Sequence, residues 1–179
     1  MSIKQTLSQV KKSYGFTLIE LIVTISLIAI LSAVGLNKLF WYQGQAEKAN
    51  MDYTASMIKS GLWLQAASLM MAERGFEIPA LLKQNPFNLL AVKPANYLGE
   101  IDGDKVATLK AGNWYFDHSN DQIVYIVGQR QHFEPAITDD FSVRYSMKVL
   151  YGEMETTNGS KVDYVTGITL VPLSHYVWQ

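Results

Sequence analysis

One apolar stretch constrains this chain more than any other feature: residues 16–36 hold twenty-one positions and a single charged side chain, Glu20. At the helical rise of about 1.5 Å per residue, the stretch spans roughly 31 Å, which matches the hydrocarbon thickness of a bilayer. Its threonine and serine hydroxyls can donate to the carbonyl four residues earlier, so an apolar environment accepts them. The stretch therefore predicts one helix that crosses a membrane.

Glu20 is the residue of this stretch whose side chain is unfavourable in lipid. A carboxylate at mid-bilayer costs about 2.5–3.5 kcal/mol on insertion scales. Glu20 lies four residues into the stretch, roughly 6 Å below its start, so lipid alone desolvates it only in part. We expect this carboxylate to pair with a cation.

The segment before Phe16 predicts the orientation of the span. It carries Lys4, Lys11 and Lys12 and no acidic residue, so the positive-inside rule places the N-terminus in the cytoplasm and the C-terminal region across the membrane. A secretory signal peptide has a shorter apolar core with the small residues after it. Here the small residue, Gly15, comes before the core. A cut after Gly15 removes the basic leader, keeps the span and leaves Phe16 as a new α-amino terminus.

Residues 15–23 read Gly-Phe-Thr-Leu-Ile-Glu-Leu-Ile-Val, and this run resembles the cleavage and methylation motif of type IV prepilins and type II secretion pseudopilins. The resemblance implies a prepilin peptidase and methyltransferase that cuts between Gly15 and Phe16 and methylates the Phe16 amine. It also implies that Glu20 pairs with that amine on a neighbouring subunit during assembly. The likeness covers residues 1–40; within it, Ala29 and Asn37 replace a Gly and a Pro that many pilins have.

The resemblance further implies an α+β, pilin-like fold: a long N-terminal helix, its inner half transmembrane, packed on a small antiparallel sheet. The function implied is a structural subunit of a type IV pilus or a type II secretion pseudopilus, with other pilin or pseudopilin subunits and the inner membrane as partners. The alternative is a tip-located binding or adhesion module of the same filament class. The implied location is the inner membrane, single-pass with a periplasmic C-terminal region, and then the filament.

Composition narrows these alternatives. The chain has no cysteine, which excludes disulfides and thiolate chemistry. Many major pilins close their C-terminal region with a disulfide, so a minor subunit or a pseudopilin is favoured. The net charge of −1 offers no electrostatic case for a nucleic-acid partner.

We expect three segments: a leader at 1–15, the membrane and polymerisation helix at 16–36, and one pilin-like domain at 37–179. Within the domain, an amphipathic helix runs to about residue 75. A loop region rich in Gly and Pro follows at 76–112, and an antiparallel sheet at 113–173. One apolar stripe on the helix is expected to cover the sheet; its members are Ala46, Tyr53, Met57, Leu64, Ala67 and Met71.

Four antiparallel strands are predicted in the sheet. The apolar runs 114–116 and 122–127 flank the turn-rich residues 118–121 and predict a β-hairpin. Alternating apolar residues over 141–151 predict a third strand with one buried face. This strand returns through an Asn-Gly-Ser turn at 158–160 into a fourth strand at 162–170.

The sequence predicts no catalytic, cofactor or metal site, and therefore no enzyme. The histidines His118, His132 and His175 lack the spacing of metal ligands or of a catalytic triad. The acidic residues around Gly103 lack the spacing of an EF-hand loop, and a solvated turn is favoured over a calcium site; they are Glu100, Asp102 and Asp104. The acidic pairs 139–140 and 153/155 are interpreted as solvated acids at strand boundaries.

Overall fold

The computed structural model describes residues 15–102, 109–135, 140–155, 159–173 and 175–178. The chain divides into two units, Met1–Leu39 and Phe40–Gln179. A single helix, α1 (Leu18–Met71), forms the regular structure of the described first unit and runs on into the second. The prediction that the helix continues past the apolar stretch is confirmed, and α1 ends four residues before the expected position.

The second unit is an α+β fold, as predicted. After α1 come the 3₁₀ helices Gly75–Lys83 and Pro86–Leu89. The strands are β1 (Tyr97–Ile101), β2 (Trp114–Asp117), β3 (Gln122–Ile126), β4 (Phe133–Glu134), β5 (Ser142–Glu155), β6 (Lys161–Pro172) and β7 (Val177–Trp178). In the described part of the chain, five of them form one sheet in the order β1-β2-β3-β5-β6, and β4 pairs with β7.

Both predicted hairpins are confirmed. Strand β2 pairs antiparallel with β3, and Trp114 lies opposite Tyr125. The turn between them is organised by the buried Asp117, whose carboxylate accepts the Ser119 backbone N–H at 3.0 Å and the Asn120 side-chain amide at 2.8 Å. Strand β5 pairs with β3 on one side and with β6 on the other, both antiparallel.

The sheet contains a strand that the sequence did not predict. Strand β1 lies inside the segment expected to be a loop, and it pairs parallel with β2, so the sheet is mixed. The register shifts between Tyr97 and Glu100, where Gly99 has a φ of +103°. Exposure alternates along the strand, but apolar and polar residues do not, because Leu98 is apolar and exposed and residue 99 is a glycine. The alternation by which a strand is predicted is therefore missing.

Helix α1 covers the sheet as predicted, but with a different face. Its buried residues in the second unit are Gly44, Met51, Thr54, Ile58, Leu62, Ala66 and Leu69. Among the residues expected there, Tyr53 is 65 % exposed and Met71 is 88 % exposed. The predicted stripe is therefore wrong, because apolar residues occur all round this half of the helix and periodicity alone does not choose among them. The position of Gly61 indicates one covered side of the helix. A Cβ at Gly61 would lie 3.5 Å from the Leu89 Cβ, so the second 3₁₀ helix packs closely against the side of α1 that carries Gly61.

The first contacts that α1 makes within the second unit involve polar groups. Glu47 accepts hydrogen bonds from the Tyr125 hydroxyl at 2.9 Å, the Gly128 N–H at 2.6 Å and the Gln129 N–H at 2.8 Å. Four residues earlier, the Gln43 side chain accepts a bond of 3.4 Å from the Gln129 amide. These bonds hold the turn after β3 against the helix.

Candidate functional site

The start of helix α1 brings the residues singled out in the sequence into one short segment. Gly15, Phe16 and Thr17 precede the helix, which begins at Leu18. The Thr17 carbonyl accepts the Leu21 N–H at 3.1 Å, and the Thr17 hydroxyl lies 3.3 Å from the Glu20 N–H that donates to it. Thr17 is therefore the N-cap of the helix, and its side chain satisfies one of the backbone donors that a helix start leaves free.

The pattern Thr17-x-x-Glu20 is a capping-box signature that the sequence interpretation above missed. It places the Glu20 carboxylate in the first turn, where the helix dipole favours negative charge by about 0.3–1 kcal/mol at exposed positions. Glu20 is exposed, and none of the ion pairs among the described residues involves it. Its carboxylate is thus placed at the helix start and is open to a partner outside the chain.

The bond between Gly15 and Phe16 lies outside the helix. Phe16 is 75 % exposed, and a Cβ added at Gly15 would meet no atom within 4 Å. The backbone at this bond is not held by helical hydrogen bonds and is sterically open. Nothing in the described fold requires residue 15 to be a glycine.

Two of the four hydroxyl side chains in the apolar stretch form the predicted bond to the carbonyl four residues earlier. The Thr24 hydroxyl donates to the Glu20 carbonyl at 2.7 Å, and the Ser26 hydroxyl donates to the Ile22 carbonyl at 2.8 Å. Both polar groups are satisfied within the helix and present their apolar parts outward. The helix can therefore enter an apolar environment without leaving these donors unpaired.

Every described side chain from residue 15 to residue 39 is exposed. Each large apolar side chain gains about 1.5–3 kcal/mol when it leaves water, so this surface strongly favours lipid or other apolar helices. α1 is the helix of the described chain that is long and apolar enough to cross a membrane.

No catalytic arrangement was found among the described residues. They contain no group of three His, Asp or Glu side chains positioned to hold a metal. Asp140 accepts hydrogen bonds from Ser142 and Arg144, and Glu153 pairs with Lys161 at 2.8 Å. The Asn85 amide donates to Glu100 at 2.8 Å, and Asp102 is exposed.

Several residues of the sequence interpretation lie outside the described ones. They are Lys4, Lys11 and Lys12 of the leader, Asn158 of the predicted turn, and Gly103, Asp104 and Asp139, together with the side chain of His132. His118 and His175 are both exposed. An open cleft of about 600 Å³ beside His175 is lined by Lys48, Asp52, Tyr176 and Trp178 among others.

Comparison with known proteins identifies the N-terminal segment. Residues 10–36 match the family model for the prokaryotic N-terminal methylation motif, which is the signature of type IV pilins and pseudopilins. No curated protein and no solved structure matches the chain. The motif supports a type IV pilin-like filament subunit and the membrane anchoring of its apolar helix.

Proposed function

We propose that this chain is a minor structural subunit of a type IV pilus or of a type II secretion pseudopilus, assembled from the inner membrane through residues 16–36. The observation that carries the proposal is the exposed, non-helical Gly15–Phe16 bond directly before a capped helix whose apolar segment, residues 18–39, is exposed throughout. The described fold buries no side chain of this segment. The segment therefore needs lipid before assembly and other subunits after it.

Processing is the first step of this proposal. A prepilin peptidase cuts between Gly15 and Phe16, and the same enzyme methylates the freed amine. The open backbone at this bond supports access by a protease. The leader, residues 1–15, then stays in the cytoplasm with its lysines, and the domain at 37–179 lies in the periplasm.

Assembly is the second step. In a filament, the helix exchanges lipid for the helices of other subunits, and the surroundings of Glu20 become drier. A carboxylate in such surroundings is stabilised by a cation, and removing one partner of a buried pair costs about 3–5 kcal/mol. The freed amine of Phe16 on a neighbouring subunit is the cation we propose.

A binding role at the filament tip is the second candidate function. It is favoured by the distal part of the β5–β6 hairpin, which lies beyond the pairing with β3. This part of the hairpin carries exposed apolar side chains on both strands: Tyr151, Met154, Val162 and Tyr164. The amount of this chain relative to the other filament subunits distinguishes both candidates, the minor subunit and the tip module, from a major subunit of the filament shaft. A shaft subunit is abundant and a tip subunit is rare.

Mass analysis of the protein extracted from native membranes tests the proposal. The expected intact mass and N-terminal peptide correspond to a chain that begins at N-methylated Phe16. A chain that retains Met1, or one cut at a conventional signal-peptidase position, would contradict the proposed processing and with it the filament role.

A further inference from the structure

Three aromatic residues stand together where the second unit begins: Phe40, Trp41 and Tyr42. They are 43 %, 40 % and 61 % exposed. The Trp41 and Tyr42 rings contact each other edge to face, with 5.0 Å between their centroids. These residues, which we call the aromatic cluster, thus expose a substantial part of their large apolar surfaces.

The fold begins to cover the helix directly after this cluster. Gln43 receives the Gln129 amide, Gly44 is buried near the Trp178 ring nitrogen, and Glu47 holds the turn after β3. The change from an uncovered aromatic surface to bonded polar groups therefore occurs within about one helical turn. Such a change is typical of a boundary between an apolar and an aqueous environment.

The distance along the helix places the cluster at the membrane surface. Phe40 and Tyr42 lie four and six residues beyond Leu36, the last residue of the apolar stretch, which is roughly 6–9 Å at the helical rise. The headgroup region adds roughly 5–8 Å on each side of the hydrocarbon core. Trp and Tyr are enriched at this level, because their rings are apolar and their N–H or O–H groups bond to polar lipid groups.

The charges near the cluster fit the same environment. Lys38 is the only charged residue between Glu20 and Glu47, and a lysine at this level can extend its ammonium to lipid phosphates. Glu47, the first acidic residue after the span, has its carboxylate bonded within the fold. No free carboxylate of this segment therefore opposes anionic headgroups.

We propose that Phe40, Trp41 and Tyr42 form a membrane-interface belt that binds the lipid headgroup region and sets the depth of the span before assembly. The partner is a phospholipid surface, and the belt lies on the side of the membrane to which the second unit is exported. This inference rests on the proposed membrane anchoring and adds a defined lipid-contacting surface to it.

Fluorescence of the full chain in phosphatidylcholine–phosphatidylglycerol vesicles tests the belt. Phosphatidylcholine brominated near the headgroup end of its acyl chains is compared with lipid brominated near the bilayer centre, and acrylamide serves as the aqueous quencher. The variants are Trp41→Phe and, as the matched control, Trp63→Phe, because Trp63 is an exposed tryptophan of the same helix. Trp114 and Trp178 are buried and remain in both variants.

The shallow bromines should quench the wild-type protein more than the deep ones do. Trp41→Phe should lose most of this quenching, and Trp63→Phe should retain it and lose acrylamide-accessible emission instead. Equal lipid quenching in the two variants, or stronger quenching from the bilayer centre, would overturn the belt while leaving membrane anchoring intact. Failure of the protein to float with the vesicles would overturn both the belt and the proposed function.

Discussion

The Glu47 carboxylate and the Tyr125 hydroxyl, 78 positions apart in the chain, are joined by a hydrogen bond of 2.9 Å. The same carboxylate accepts two backbone N–H groups, from Gly128 and Gln129. Three donors from one strand and the turn after it thus converge on one side chain of α1. A Cβ at Gly128 would lie 3.2 Å from both carboxylate oxygens, so the absence of a side chain there permits the close approach.

Glu47→Ala should therefore destabilise the second unit by about 2 kcal/mol, because it leaves these donors without their charged acceptor. Glu47→Gln should recover only part of the loss, since its amide nitrogen faces a donor. Urea unfolding of the two variants measures the effect, with Glu155→Ala, which removes an exposed glutamate, as the control. A loss no larger than that of the control would show that the bonds contribute nothing to stability.

Alkaline pH should destabilise the second unit through its buried tyrosines. Burial, together with the Glu47 carboxylate, raises the pKa of Tyr125 far above its usual range. Burial and the neighbouring Tyr176 hydroxyl raise the pKa of Tyr145 in the same direction. Unfolded tyrosines ionise near pH 10. Above about that pH the unfolded state releases protons that the folded state keeps, so the free energy of unfolding falls as pH rises.

The expected loss is about 1 kcal/mol for each of these tyrosines per pH unit above about 10. Unfolding curves for residues 37–179 between about pH 8 and pH 11 measure it. The Tyr125→Phe/Tyr145→Phe double variant should show a shallower decline. An identical decline in the double variant and the wild type would show that other groups control the alkaline loss.

The same fragment, residues 37–179, should fold without disulfides or added metal. The core joins α1 to the sheet through Met51, Ile58, Trp114 and Tyr145, and the chain has no cysteine. Thermal unfolding with and without a chelator, under reducing conditions, should give the same midpoint. A drop of many degrees in chelator would instead reveal a calcium site, with Glu100 as the first candidate ligand.

The sequence predicted the elements of this fold better than their contacts. Strands β2 and β3 were found because two apolar runs flank a turn-rich segment, and β5 and β6 because their apolar residues alternate. The helix face was not found, because Tyr53 and Leu64 fit a helical stripe as well as Ile58 and Leu62 do. Only the tertiary packing distinguishes the two sets.

The candidate functional site was likewise predictable from the sequence only in part. Gly15, Phe16 and Glu20 are recognisable from their order at the start of an apolar stretch. The capping pattern formed by Thr17 and Glu20 lies in the same segment of the sequence. The hydrogen bonds that Glu47 accepts from Tyr125 and Gly128 were not predictable, because both donors are distant from Glu47 in the sequence and no local motif marks them. Contacts between such distant residues follow from topology, which a local pattern does not contain.

Gly15→Leu should block processing without disturbing the fold. No atom lies within 4 Å of a Cβ at this position, so a failed cut reports on the peptidase and not on folding. Gly35→Leu is the matched control, since Gly35 is equally open within the apolar helix and should be processed normally. Intact masses of the two membrane-extracted variants decide the matter. Normal cleavage of Gly15→Leu would show that the peptidase does not read this residue.

Substitutions at Glu20 and Thr17 separate the effect of the Glu20 charge from the effect of the helix cap. Glu20→Gln removes the charge, and the backbone bond from residue 20 to Thr17 is retained. Thr17→Ala removes the cap, at about 1 kcal/mol of helix stability, and keeps the carboxylate. If the carboxylate acts by pairing with a neighbouring amine, Glu20→Gln should impair assembly and Thr17→Ala should impair it much less.

The amount of each variant in the sheared-filament fraction, relative to the amount in the membrane fraction, is the most direct test of the assembly mechanism. We predict that Glu20→Gln and Glu20→Ala insert into the membrane and are cleaved after Gly15, yet are strongly depleted from filaments, whereas Thr17→Ala is incorporated. Incorporation of both Glu20 variants at the wild-type ratio would contradict assembly through a Glu20–Phe16 pair.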